Sequence, residues 1–264
     1  EPFDFAQGLF RGLAEHFVML FRAVRTAELE IENAYRADIH DAALERMSWR
    51  GLEPEELSLL PAVIVIEASD RLARHSLVGL HRVLRSSMPV RILIVQGEGA
   101  VADPPSAAGT HLGEVMVDPG YLAMAHREVR VFQSSLADLD HLTGAVSNFL
   151  RASGPAVLAT LLPVSREPRA WERLAVAELA GTYARFSYDP EAGESWADRF
   201  RLETPGAPDE EETVVPLECR QEEGGTTRIE EILTYAHVAA QDPRFRGHFA
   251  LISPAFWNEE QVPI

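Results

Sequence analysis

The strongest constraint on the fold is a rhythm in the middle of the chain, where short β-branched runs alternate with stretches of helical period. Ala62-Val-Ile-Val-Ile66 is apolar and too short for a stable helix, so it predicts a buried strand. A helix over residues 76–85, with Leu77, Leu80 and Leu84 facing inward, separates it from a second strand over residues 90–95. Residues 96–110, rich in Gly, Ala and Pro, predict a long loop. Helical residues 121–127, a strand at residues 129–132, a helix over residues 139–150, a strand over residues 156–162 and a helix over residues 169–183 follow. In the last of these, Leu174, Val176, Leu179 and Ala180 lie on the inner side. Parallel strands need crossover connections. The alternation therefore predicts an α/β fold, a doubly wound and mainly parallel sheet with helices on both faces. Ligands on such sheets bind beyond the carboxyl ends of the strands, here the loops after Ile66, Val95, Phe132 and Leu162.

The flanks read differently. Asp4 with Gln7 three residues later matches a capping box. Phe5, Leu9, Leu13, Phe17, Leu20, Phe21 and Val24 then recur at helical spacing, predicting an amphipathic helix to about residue 32 with this stripe in the core. Residues 34–57 are more polar and predict short helices. Arg185-Phe-Ser-Tyr-Asp-Pro190 ends the alternation. Residues 191–229 are acidic, with Asp209-Glu-Glu-Glu212 and Glu222-Glu223, and predict a solvated connector and a hairpin. A last helix is expected over residues 229–240. The expected organisation is an N-terminal helical segment (1–57), an α/β domain (58–205) and an irregular acidic C-terminal extension (206–264) that ends in that helix.

Composition excludes several classes. A formal charge of −17 opposes phosphate backbones, so neither nucleic acid nor an anionic membrane is an expected partner. No apolar run approaches the roughly 18 residues of a membrane span, and a cytoplasmic location is expected. All 24 basic residues are arginine, which excludes Schiff-base chemistry and a P-loop lysine from this chain. Cys219 is the single cysteine, so the chain alone holds no disulfide, cysteine-ligated cluster or structural zinc. Gly97-Glu-Gly-Ala-Val-Ala102 follows a strand in the loose dinucleotide pattern, but Asp103-Pro104-Pro105 blocks the helix that pattern needs. His75 and His81 are the histidines nearest the expected ligand edge. Ordinary surface or capping roles suffice for them.

Five segments together resemble the thiamine-diphosphate-binding domain of the pyruvate:ferredoxin (flavodoxin) oxidoreductase family. Gly79-Leu80 through Val95 looks like that family's glycine-leucine helix and following strand. Phe132-Gln133 with the helix after it, Gly154-Pro155-Ala156-Val157-Leu158-Ala159, Leu174 through Pro190, and Phe200-Arg-Leu-Glu-Thr204 match further segments in order and spacing. The resemblance covers about residues 60 to 205 and implies the thiamine-diphosphate fold, a parent protein acting on a 2-oxoacid, and a homo-oligomer.

The family's cofactor signature breaks down in this chain. Its Gly-Gly-Asp-Gly falls in register at Glu67-Ala68-Ser69-Asp70, so Ser69 replaces the magnesium-binding aspartate. Its threonine ligand falls at Gly97 and its asparagine at Ala102, while a main-chain carbonyl ligand falls at about Gly99. Magnesium favours octahedral oxygen ligands including carboxylate, which a serine hydroxyl does not replace. The expectation is a domain that binds no cofactor itself and serves structurally beside other domains of a parent polypeptide. Against it stands an active domain in which Asp70 and Glu98 act as substitute ligands for thiamine diphosphate and magnesium. An interaction module using the acidic residues 208–223 is a third class.

Overall fold

The computed structural model describes residues 1–97, 118–163, 169–203, 214–220, 226–232, 234–241, 247 and 249–250. Its centre is a six-stranded sheet built from β1 (Val63–Ala68), β2 (Val90–Gly97), β3 (Arg130–Ser135), β4 (Ala156–Leu162), β5 (Phe186–Tyr188) and β6 (Phe200–Leu202), in the order β1-β2-β4-β3-β5-β6. β1, β2, β4 and β3 pair in parallel, whereas β5 and β6 add on antiparallel. The four parallel strands are the four β-branched runs of the sequence. The α/β class with a mainly parallel sheet holds. Phe186–Tyr188 and Phe200–Leu202, inside the expected α/β domain but not expected as strands, belong to the same sheet.

Helices cover both faces unequally. On the first face, α1 (Pro2–Ile31), α5 (Leu77–Leu84) and α6 (Pro119–Met124) share one core with Val63, Val65, Ile92, Ile94, Val131 and Val157. On the second face, Ala145 and Phe149 of α7 (Leu139–Arg151) pack on Phe132 and Leu158. The strand residues of the two clusters alternate along β3 and β4, which places them on opposite sides. α8 (Arg169–Leu179) returns to the first face, where Leu174 meets Leu161 and Tyr183. Along β1 only Val63, Val65 and Glu67 are buried; Ile64 and Ile66 on the second face remain exposed.

α1 corrects a sequence expectation. It is a 30-residue helix that starts at Pro2 with Glu1 as N-cap, so Asp4 lies in its first turn and does not cap it. Its buried residues are Phe3, Ala6, Gln7, Phe10, Ala14 and Val18. Of the stripe expected in the core, Leu13, Phe17 and Phe21 pack half-buried against it, whereas Phe5, Leu9, Leu20 and Val24 are exposed, Phe5 by 73%. Two apolar stripes run along this helix. The inner one contains two alanines, which let it approach α5 and β1 closely; Gly79 of α5 sits against Phe3. Asn33, in the left-handed region at φ 54°, ends the helix.

The polar stretch after α1 forms α2 (Ala37–Glu45), a 3₁₀ turn at Trp49–Gly51 and α3 (Pro54–Ser58), as its turn signals predict. After β1 the chain passes through α4 (Ser69–Arg71) and a π-turn at Leu72–Ser76 before entering α5. α9 (Trp196–Arg199), opened by a capping box between Ser195 and Asp198, leads into β6.

At the C-terminal side the expected hairpin is present, and the start of the expected helix is corrected. β7 (Val214–Arg220), which carries Cys219, and β8 (Thr226–Ile232) form an antiparallel hairpin with its own two-stranded sheet. Among the described residues the last helix is α10 (Tyr235–Gln241), so residues 229–232 are strand, not helix.

One buried cation ties sheet to helix. Arg91 of β2 is 6% exposed and donates from Nη1 to the Gly154 carbonyl at 2.8 Å, from Nη2 to that of Ala152 and from Nε to that of Leu150 at 3.3 Å. These are carbonyls at the end of α7, where helical donors run out and the dipole is negative. Burial, with Arg130 nearby, lowers the Arg91 pKa to about 10.

Candidate functional site

The sequence places chemistry at the carboxyl ends of the parallel strands, and two neighbourhoods lie there. The first is the β1–β2 end. β1 finishes at Ala68 opposite Val95, so Ser69 and Asp70 open α4 beside the end of β2 at Gly97. Ser69 is half-buried. Asp70 is exposed and makes no hydrogen bond or ion pair among the described residues. Glu98, Gly99 and Ala102 lie outside the described residues.

The dominant group at this end is Glu67, in the position of the resembled quartet's first glycine. Its carboxylate is 5% exposed and points to the first face. Ser76 Oγ donates to it at 3.4 Å, the Ala68 amide at 3.3 Å, and Arg71 Nε lies 3.5 Å away. Arg71 and Ser76 thus tie α4 and the π-turn back onto the strand. His75 on that turn is exposed. His81 of α5 meets His126, Nδ1 to Nε2 at 3.2 Å. Burial, with His81 and Arg85 close by, lowers the His126 pKa and favours its neutral ring.

The second neighbourhood lies between β3 and β4. There adjacent parallel strands send the chain to opposite faces, β3 into α7 and β4 towards α8. That reversal is where open α/β sheets form a ligand crevice. In this chain side chains fill it. The Tyr183 hydroxyl lies 3.0 Å from Gln96 Oε1, 3.0 Å from the Ser134 carbonyl and 3.4 Å from that of Ala159. One phenol therefore spans β2, β3 and β4. Burial first, then the fields of Asp118 and Glu178, push its pKa well above the usual value, so it stays a neutral donor.

Around it a second network closes. Ser135 Oγ donates to Glu178, and Glu178 Oε2 lies 3.5 Å from Arg185 Nε. Arg185 Nη1 donates to Asp138. Asp138 caps α7 by accepting the His141 amide at 2.9 Å; that bond, with Arg185 beside it, holds the Asp138 pKa below its ordinary range. On the first face Gln133 Nε2 donates to the Ala184 carbonyl at 3.0 Å and to Asp118 at 3.3 Å. Any side chain at Gly120 would run into Gln133 and the Phe186 ring.

Each acid in this crevice is matched to a donor, and its phenol is neutral. The arrangement binds strands and helices to one another, while the buried Thr160 Oγ1 on β4 has no hydrogen-bond partner among the described residues. Sequence reasoning missed Gln96, Tyr183, Glu178 and Arg185. One of them left a signal: Glu178 stands four residues after Leu174 on the inward side of a helix, where an unpaired carboxylate is costly. Among the described residues no group of three His, Cys, Asp or Glu is arranged to hold a metal ion, and no helix is long and apolar enough to cross a membrane.

No protein-family model matches the chain, and no curated protein is significantly similar to it.

Proposed function

We propose that this chain is an α/β domain of a larger 2-oxoacid (pyruvate):ferredoxin oxidoreductase-like protein, with the strand ends that would grip thiamine diphosphate turned to structural use. The buried Glu67 carboxylate carries this reading. A diphosphate held at the end of β1 would face that carboxylate across a protein interior. Two unit charges about 4 Å apart repel by about 4 kcal/mol at an effective dielectric near 20. Glu67 is also engaged by Ser76 and Arg71, so it is built into the fold. Ser69 offers a hydroxyl where magnesium favours carboxylate. The role that remains is to hold neighbouring domains or subunits, with a homo-oligomer as the expected assembly.

One observation favours a second reading, in which the domain still binds the cofactor. Asp70 is exposed and has no hydrogen bond or ion pair among the described residues, one residue from the position of the missing ligand. Calorimetric titration with thiamine diphosphate and magnesium separates the two. The structural reading expects no heat of binding up to millimolar cofactor. Micromolar binding that Asp70→Ala abolishes would establish the second reading in its place.

A further inference from the structure

A groove on the second face lies away from the strand ends. It runs along α7 from His141 to Arg151, floored by β3, β5 and β6, and encloses about 450 Å³. The antiparallel register pairs Phe132 with Ser187 and Ser187 with Arg201, so these three cross the floor in one row. Phe132 and Ala145 are its apolar surface, and Gly144 of α7 contributes no side chain.

The walls are arginine-rich in a chain of charge −17: Arg130, Arg151, Arg199 and Arg201 all line the groove. Arg130 is committed to Asp189 at 3.0 Å and Glu191 at 2.5 Å. Arg199 Nε donates to the Gly193 carbonyl at 2.8 Å; its guanidinium makes no other hydrogen bond or ion pair among the described residues. Arg151 and Arg201 make none among the described residues. The acids nearby are already answered. Glu203 accepts from Ser187 at 2.9 Å and meets His141 Nε2 at 2.5 Å; His141 Nδ1 in turn contacts Ser134 Oγ at 2.8 Å. The groove therefore carries guanidinium groups with no ion pair among the described residues, Arg201 standing near enough to Glu203 to help lower its pKa, together with the acceptor oxygens of Glu203.

We infer that this groove binds a phosphate monoester of a small hydroxyl- or amine-bearing molecule. Guanidinium forks match phosphate oxygens bidentately. Arg151, Arg199 and Arg201 supply three of them, Phe132 and Ala145 accept the apolar part of the molecule, and Glu203 accepts from its hydroxyl or amine. The volume lies within the range of small-molecule sites and exceeds what inorganic phosphate fills. The inference is independent of the structural role proposed for the strand ends.

Calorimetric titration of the full chain with adenosine 5′-monophosphate and with glucose 6-phosphate tests it, with inorganic phosphate, adenosine and glucose as controls. The expected result is saturable binding of at least one ester, at least tenfold tighter than inorganic phosphate and weakened by salt. The double variant Arg151→Ala/Arg201→Ala should lose at least tenfold in affinity while its circular dichroism is unchanged, because both residues are exposed. Glu203→Gln should weaken the ester but leave phosphate affinity as it was. Absence of binding by both esters, phosphate binding as tightly as they do, or a double variant of unaltered affinity would each overturn the inference.

Discussion

Tyr183 illustrates how single residues hold the crevice between β3 and β4. Its hydroxyl is the shared donor for acceptors on three strands, and it has no water to fall back on at 8% exposure. Tyr183→Phe keeps the ring and removes the donor, leaving Gln96 Oε1 buried without it. A loss of about 1–3 kcal/mol is expected in urea unfolding; an unchanged midpoint would show the hydroxyl to be idle. Asp138 and Glu203 make the pH behaviour predictable. Asp138 has its folded pKa lowered from 3.8 by the His141 amide and then Arg185, and Glu203 from 4.5 by its bond to His141. A carboxylate with a depressed folded pKa contributes stability that is complete above its unfolded value. That contribution drains away as pH falls through the folded one. The melting temperature should hold steady down to about pH 5 and drop below about pH 4. Asp138→Asn should soften that acid drop in thermal scans from pH 7 to pH 3, and identical profiles would contradict the assignment.

At the scale of elements, α1 is the sharpest test of which face is buried. Its sequence carries two apolar stripes, and the helix buries the one with Phe10 fully while the other reaches the core only through Leu13, Phe17 and Phe21 and leaves Phe5 outside. Phe10→Ala should cost about 3–5 kcal/mol by opening the core, whereas Phe5→Ala should stay within about 0.5 kcal/mol. Urea melts of both variants decide it, since the opposite rotation predicts the opposite order. α7 depends on Arg91 for its C-terminal carbonyls. Arg91→Ala leaves them without that donor and should destabilise by about 2–3 kcal/mol. Hydrogen exchange should show the last turn of α7 opening first. Uniform exchange along the helix would argue that the cap is dispensable.

For the molecule as a whole, the proposed role makes a thermal prediction. A ligand at a hundred times its dissociation constant adds about 2.7 kcal/mol, which moves a melting temperature by several degrees. Millimolar thiamine diphosphate with magnesium should leave it unmoved to within about 1 °C, and a rise of several degrees would return the strand ends to cofactor binding.

Much of this architecture was legible in the residues themselves. The four β-branched runs, the helices between them and the parallel order follow from period and length, which are properties of a local stretch of chain. Ala156–Leu162 is the same strand in sequence and structure because both its faces are buried and its run is continuous. β5 and β6 were not legible, because strands of three residues carry no period and exist only through pairing with β3. The candidate residues divide in the same way. Ser69, Asp70 and Gly97 could be placed at strand ends from sequence. That Glu67 is held by Ser76 and Arg71, that Tyr183 reaches across three strands, and that four arginines meet along α7 depend on residues far apart in the chain. Sequence alone settled the four parallel strands and the helices between them, since each is decided by its own neighbours. Tertiary structure decided which stripe of α1 is inside and what fills the crevice, since burial belongs to two surfaces at once.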